Sequence, residues 1–251
     1  MEQGLADAAL FGPDGSIQQP ADVFYGKPVL LKRGSFDPVT LLHLDMLKHG
    51  AQSFQSEWGE QAQGSIEVME LTMKNLLTGE GTMHTDDFLA RADVLQALGK
   101  HVLVSKYARF FRLSEYVTRH TKGRIGMVLG LALFEELFDE KWYEELPGGL
   151  LESLGRMLHH GLQLYVYPAL CPNTGRMITA REAKVSPQQQ SLLQYLLAIG
   201  HVREILSGDS RVMRHSSYEV REMWLNHQPE WRELVPPEVL QHPRWASSTH
   251  P

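Results

Sequence analysis

An α/β fold, a mostly parallel sheet flanked by helices with a helical C-terminal extension, is what this 251-residue sequence predicts. Three observations predict it. Short apolar runs alternate with stretches of helical spacing, the pattern of strand–helix–strand units that build parallel sheets. Hydrophobic residues make up 43% of the chain and charged ones 22%, enough apolar material for a full core. The longest apolar run, "IGMVLGLALF" at 125–134, is far short of the roughly 20 residues of a membrane span and reads as a buried strand entering a helix.

The elements follow in order. Strands are predicted at 29–32, 66–71, 101–105, 124–129 and 163–167, and helices at 40–54, 85–98, 109–120 and 149–159. The second helix opens on Thr85-Asp86-Asp87, a cap with an acidic first turn, and stops at Gly99. "PALCPNTGRM" signals a loop or hairpin. "SPQQQSLLQYLLAIGHVREIL" reads as one amphipathic helix, with Pro187 in its first turn. Beyond Ser207 come two short helical patterns at 218–226 and 230–240, then a Pro/His/Ser tail expected to fray. The expected organisation is a Rossmann-like α/β domain over 1–206 and a helical extension over 207–251.

The totals exclude several classes. A net charge of −6 argues against non-specific nucleic-acid binding, which needs a basic surface. Cys171 is the sole cysteine, so no intrachain disulfide and no thiolate zinc site can form. One cysteine beside ten methionines fits the reducing cytoplasm. The start, Met-Glu-Gln-Gly-Leu-Ala-Asp, has neither the basic end nor the apolar centre of a signal peptide, and no membrane partner is expected.

The chemistry concentrates where the first predicted strand meets its helix, in "VLLKRGSFDPVTLLHLDML". Gly34 permits a tight turn, Pro38 fixes φ before the helix, and Asp37 or Thr40 can cap it. A helix N-terminus offers unpaired N–H groups and a positive dipole end to an anion. Thr40 and His43, three residues apart, share a face near that end, where hydroxyl and imidazole can both meet a phosphate.

These residues resemble the signature of the nicotinate-mononucleotide and phosphopantetheine adenylyltransferases, Gly-Ser-Phe-Asp/Asn-Pro-(Val/Ile)-(His/Thr)-x-Gly-His-Leu. Gly34, Ser35, Phe36, Asp37, Pro38, Thr40, His43 and Leu44 fall on it position by position. The resemblance implies a nucleotide site that takes ATP with Mg²⁺. Gly34, Ser35, Phe36 and Asp37 would form the cradle, and Thr40 and His43 would meet the phosphates. A substrate phosphate then attacks the α-phosphorus, so catalysis is positioning and charge stabilisation. Leu42 stands where that family has glycine and is expected to crowd the nucleotide. The family's second signature has no counterpart; Ser105, Lys106 and Arg109 in "VSKYARF" come earlier in the chain.

A wider similarity rests on "LADAALFGPDG", "VMELTMKNLL", "DFLARADVLQALGKHVLVS", "LPGGLLESLGRM" and "LYVYPALCPNTG". These resemble the C-terminal half of a longer bacterial family labelled TonB-dependent receptor, related chains being called nicotinate-nucleotide adenylyltransferase. An outer-membrane barrel needs many alternating strands, and they are missing from this sequence. This similarity implies a separately encoded half, a shorter paralogue or a misplaced start, and in the first case a protein partner that supplies the missing N-terminal half. The alternative to a nucleotide-binding enzyme is therefore a non-catalytic regulatory or protein-interaction module.

Other clusters are weaker. Lys106, Arg109 and Arg112 form either an anion cradle beyond a strand end or a solvated helix start. Gly148 and Gly149 open a helix without the Lys-Ser/Thr of a P-loop. The carboxylates of "FEELFDEKWYEEL" suit a cation or, more commonly, an exposed acidic face. His159 and His160 point to different faces, and Cys171, with no basic neighbour, is expected to be inert.

Overall fold

The computed structural model describes residues 7–72, 77–78, 82–83, 85–159 and 161–246. It opens with strands β1 (Ala8–Phe11) and β2 (Ile17–Gln18) and a short helix α1 (Pro20–Phe24). Strand β3 (Val29–Arg33) leads into α2 (Leu41–Trp58), and β4 (Ile66–Thr72) precedes a small hairpin of β5 (Leu77–Thr78) and β6 (Thr82–Met83). The alternation continues through α3 (Thr85–Ala97), β7 (His101–Ser105), α4 (Phe110–His120), β8 (Ile125–Gly130), α5 (Leu131–Glu136), α6 (Gly149–Leu158) and β9 (Leu162–Tyr167). Last come the hairpin β10 (Ala169–Leu170) and β11 (Met177–Ile178), then α7 (Gln190–Ala198), β12 (Val202–Glu204), α8 (Ser217–Leu225), α9 (Pro237–Gln241) and α10 (Pro243–Ala246).

Eight strands form one sheet in the order β12-β9-β8-β3-β4-β7-β1-β2. From β12 to β7 every pairing is parallel, while β1 and β2 add an antiparallel edge. The chain lays down β3, β4 and β7 in one direction, then returns to the other side of β3 to lay down β8, β9 and β12. That reversal is the doubly wound, Rossmann-like plan, and it leaves a crevice beyond the carboxyl ends of β3 and β8 where helices diverge.

Alternation along each strand sends side chains to two cores. Val29 and Leu31 of β3 join Phe111, Phe134 and Leu154 under α4, α5 and α6. Leu30 faces the opposite way, among Leu47 and Phe54 of α2, Val94 of α3 and the C-terminal Trp224, Trp231 and Trp245. The C-terminal helices therefore share one hydrophobic cluster with the sheet. Burying aromatic rings of this size contributes a few kcal/mol each, of order 25 cal/mol per Å² of apolar surface. Among the described residues, no helix is long and apolar enough to cross a membrane.

Two differences from expectation have local causes. The predicted single helix at 186–206 is instead α7 followed by β12. Gly200, at φ 81°, turns the chain, and Val202 then pairs beside Leu164 at the sheet edge. The segment at 8–18 supplies strands that its short, mixed pattern did not announce. The tail at 247–251 and His160 lie outside the described residues.

Helix α2 approaches β8 closely at Gly50, where an added Cβ would collide with the Val128 side chain. Alanine is the better helix former by about 1 kcal/mol. Overpacking against a buried strand nevertheless costs about 1–3 kcal/mol. Gly50→Ala is therefore expected to lower the midpoint of denaturant unfolding; a raised midpoint would show that helix propensity dominates here.

Candidate functional site

The turn from β3 to α2 is held from within. Thr40 is the N-cap of α2, and the cap is reciprocal: Thr40 Oγ1 accepts from the His43 backbone N–H at 3.4 Å, and His43 Nδ1 accepts from the Thr40 N–H at 3.1 Å. Glutamate or glutamine usually fills the histidine's place in such a capping box. Because Nδ1 accepts, the ring's proton resides on Nε2. Burial, and then the nearby charge of Lys32, push the His43 pKa down to about 3, so the imidazole is neutral. Nε2–H forms no hydrogen bond among the described residues. Phe36 packs edge-on against the ring at 5.0 Å and holds a left-handed backbone at φ 48°. Such a conformation in a non-glycine residue costs on the order of 1–3 kcal/mol and is kept by its surroundings.

A cavity of about 770 Å³ opens at the switch point, bounded by Lys32, Gly34 and Ser35 of the first turn, by Leu42 and His43 of α2, and by Gly130 after β8. Its far wall is the β10–β11 hairpin, including Cys171, and the approach to α8, including Arg214 and Ser217. This volume suits a small-molecule ligand. Leu42, expected to crowd a nucleotide, is part of this wall together with His43.

Lys32 is the residue that sequence reasoning missed. It is 4% exposed, and its cross-strand neighbours are Met69 and Val128, neither able to pair with a charge. Its Nζ donates one hydrogen bond, to the Arg33 carbonyl at 3.3 Å, and forms no ion pair among the described residues. Burial pulls its pKa down to about 8. Only a period-two reading carried past Leu30 hinted that a lysine would point towards α2. Glu219 is the one carboxylate in the cavity wall among the described residues, and it caps α8 by accepting from the Ser216 N–H at 2.6 Å.

The remaining predicted residues separate. Gly34 and Ser35 line the cavity; Thr40, Phe36 and Asp37 do not. Asp37 turns instead into three guanidinium groups: Arg91 of α3 at 3.1 Å, Arg221 of α8 at 3.0 Å and Arg244 of α10 at 3.0 Å. Burial alone would raise its pKa, but the Arg91 and Arg244 charges, with hydrogen bonds from Arg221 and Arg244, hold it below the usual carboxylate value. Arg91 also pairs with Asp87 and donates to the Ser35 carbonyl at 3.1 Å. Arg33, on the opposite face of β3, is neutralised by Glu70 through bonds of 2.6 and 3.1 Å, and Ser105 donates to the same carboxylate at 2.6 Å.

The anion cradle of Lys106, Arg109 and Arg112 does not assemble. Lys106 is exposed and lines neither this cavity nor its neighbour. Arg109 grips Glu145 at 3.0 and 3.2 Å and lines, with Phe110 and Trp142, an adjoining cavity of about 310 Å³ that shares Arg33, Gly34 and Ser35 with the first, while Arg112 pairs with Glu115 at 3.6 Å. The Gly148–Gly149 helix start is occupied by its own Glu152, which accepts from the Gly148 N–H at 3.0 Å. No group of three or more His, Cys, Asp or Glu that could hold a metal occurs among the described residues. Cys171 corrects expectation in the other direction: Thr174, through its hydroxyl and N–H, then the Asn173 N–H and Arg176, lower its thiol pKa. No protein-family model and no curated protein matches this chain.

Proposed function

We propose that the chain binds a nucleotide by its phosphates in the switch-point cavity, as an adenylyltransferase-like domain. The observation that carries this reading is Lys32, a buried ammonium with no carboxylate partner among the described residues, in the wall of that cavity with His43, whose Nε2–H has no partner among them either. A charge taken out of water without a partner is costly and is kept where a ligand completes it. Lys32 supplies the charge, His43 a neutral donor, and the first turn of α2 further N–H groups and its dipole end. Thr40 and Phe36 position the imidazole.

In the reaction that the signature implies, an oxygen of the second substrate's phosphate forms a bond to the α-phosphorus of ATP. The bond from that phosphorus to the bridging oxygen breaks, and pyrophosphate leaves. The chain's part is to hold the phosphates in line and offset their charge. Mg²⁺ would arrive on the nucleotide's own oxygens, because this wall offers it no carboxylate set. The competing reading, a non-catalytic regulatory or interaction module, draws on Asp37, which the fold uses as a structural tie.

A thermal shift decides between them, since a ligand that binds only the native state raises Tm. Millimolar ATP–Mg²⁺ is expected to raise the Tm of the wild type and to leave that of His43→Ala unmoved. That variant should itself melt lower, by roughly 1 kcal/mol of lost cap. The shift should shrink as pH rises past about 8, where Lys32 loses its proton, and show no step near 6.5, because His43 is already neutral there. An unchanged Tm of the wild type at millimolar ATP would favour the interaction module.

A further inference from the structure

We propose that Lys32 is also a nucleophile, an amine that forms an imine with the aldehyde of a small phosphorylated carbonyl compound seated in the switch-point cavity. The phosphate part of this inference rests on the anion-binding reading above; the amine part does not.

The geometry sets Lys32 apart from the other lysines. Its side chain is shielded from bulk water yet lines a cavity of about 770 Å³. Its partners across the sheet are Met69 and Val128, and among the described residues its single hydrogen bond runs to the Arg33 carbonyl and no carboxylate holds the proton on Nζ. Desolvation favours the neutral amine, and its pKa of about 8 leaves a sizeable neutral fraction near neutrality. Buried lysines of this kind serve as Schiff-base formers. Lys106 and Lys122, by contrast, are exposed. The donors that would seat a phosphate, His43 and the first turn of α2, bound the same space and can hold the ligand while its carbonyl meets the amine.

The step balances without a further reactant. The Nζ lone pair attacks the carbonyl carbon, the C–N bond forms, and the carbonyl π pair moves onto oxygen. The carbinolamine then loses that oxygen with both amine hydrogens as water, leaving C=N. Cys171 in the far wall is a competing nucleophile. Its thiohemiacetal reverts and contains no C=N bond for borohydride to reduce, so reduction separates the two.

Pyridoxal 5′-phosphate with borohydride, followed by peptide mapping of the whole chain, tests the inference. At pH 7.5 Lys32 is expected to carry the reduced adduct at least about tenfold over Lys106 and Lys122, one unit of pKa being tenfold in neutral amine. Excess ATP should suppress the labelling, unphosphorylated pyridoxal should label less, and Lys32→Arg should lose the adduct. The mapping is done on the wild type, so it stands even if that variant fails to fold. Adduct spread over the exposed lysines with Lys32 unmodified overturns the proposal. If ATP raises Tm while Lys32 stays unlabelled, the amine inference falls and the nucleotide reading survives. Selective labelling by pyridoxal and its phosphate alike, unprotected by ATP, supports the amine and sinks the anion site.

Discussion

Asp37→Ala is expected to lose about 3–5 kcal/mol of stability, the range seen when one partner of a buried ion pair is removed. For a chain of this length that corresponds to a fall in Tm of about 10 °C. The size follows from what is left behind. Arg91 is as buried as Asp37, each about 6% exposed, and among the described residues would keep only Asp87 as a counter-charge. Arg221 and Arg244 are more exposed and contribute less, because water screens them. They are nonetheless what ties α8 and α10 to the first turn. Tryptophan emission from Trp224 and Trp245, both buried beside that tie, should therefore shift red before the rest of the chain unfolds.

The pH dependence has a definite sign. The folded pKa of Asp37 lies below its ordinary value of 3.8, so its stabilisation is complete above that value. It is lost as pH falls through the folded pKa. Asp37→Ala should therefore flatten the acid limb of the stability curve. A variant as stable as wild type, with the acid limb intact, would show that the three arginines are held by something else.

Asp37 also shows why the first turn was legible as a shape and not as a set of roles. Strand β3, the turn and α2 are local, and Gly34, Pro38, Thr40 and the leucine spacing encode them within some thirty residues. The cap partner of His43 is local too, and a Thr-x-x-His pattern could have been read as a capping box. The partners of Asp37 lie 54, 184 and 207 residues away in sequence, and no local pattern reveals them. The strand at 202–204 was hidden for a related reason. Its three residues pair with β9 only once Gly200 has reversed the chain, and in a helical window they pass for another turn. Lys32 is the last residue of the strand predicted at 29–32, where nothing local marks it as buried. Its burial depends on Met69 and Val128, contributed by strands far along the chain.

Lys32→Met is expected to do two opposite things: to stabilise the fold by about 3 kcal/mol at pH 7 and to abolish the ATP-dependent rise in Tm. The gain follows from linkage. The pKa of Lys32 falls from its ordinary 10.5 to about 8 in the folded chain, and each unit is about 1.4 kcal/mol of differential stability. Below pH 8 both folded and unfolded chains are protonated, and the native state bears the full cost of the buried charge. Between 8 and 10.5 the unfolded chain holds a proton that the native chain has released, so wild-type stability rises with pH across this window. Methionine has no charge to bury and fits a similar volume, so Lys32→Met should show no such rise and should match or fall below the wild type only at the alkaline end. A variant less stable than wild type at pH 7 would mean that the ammonium is paired in the free protein, and the main support for an anion site would go. A variant both more stable and unresponsive to ATP would identify a position where the chain gives up stability to keep a cation facing the crevice, the trade expected of a binding site rather than of a scaffold.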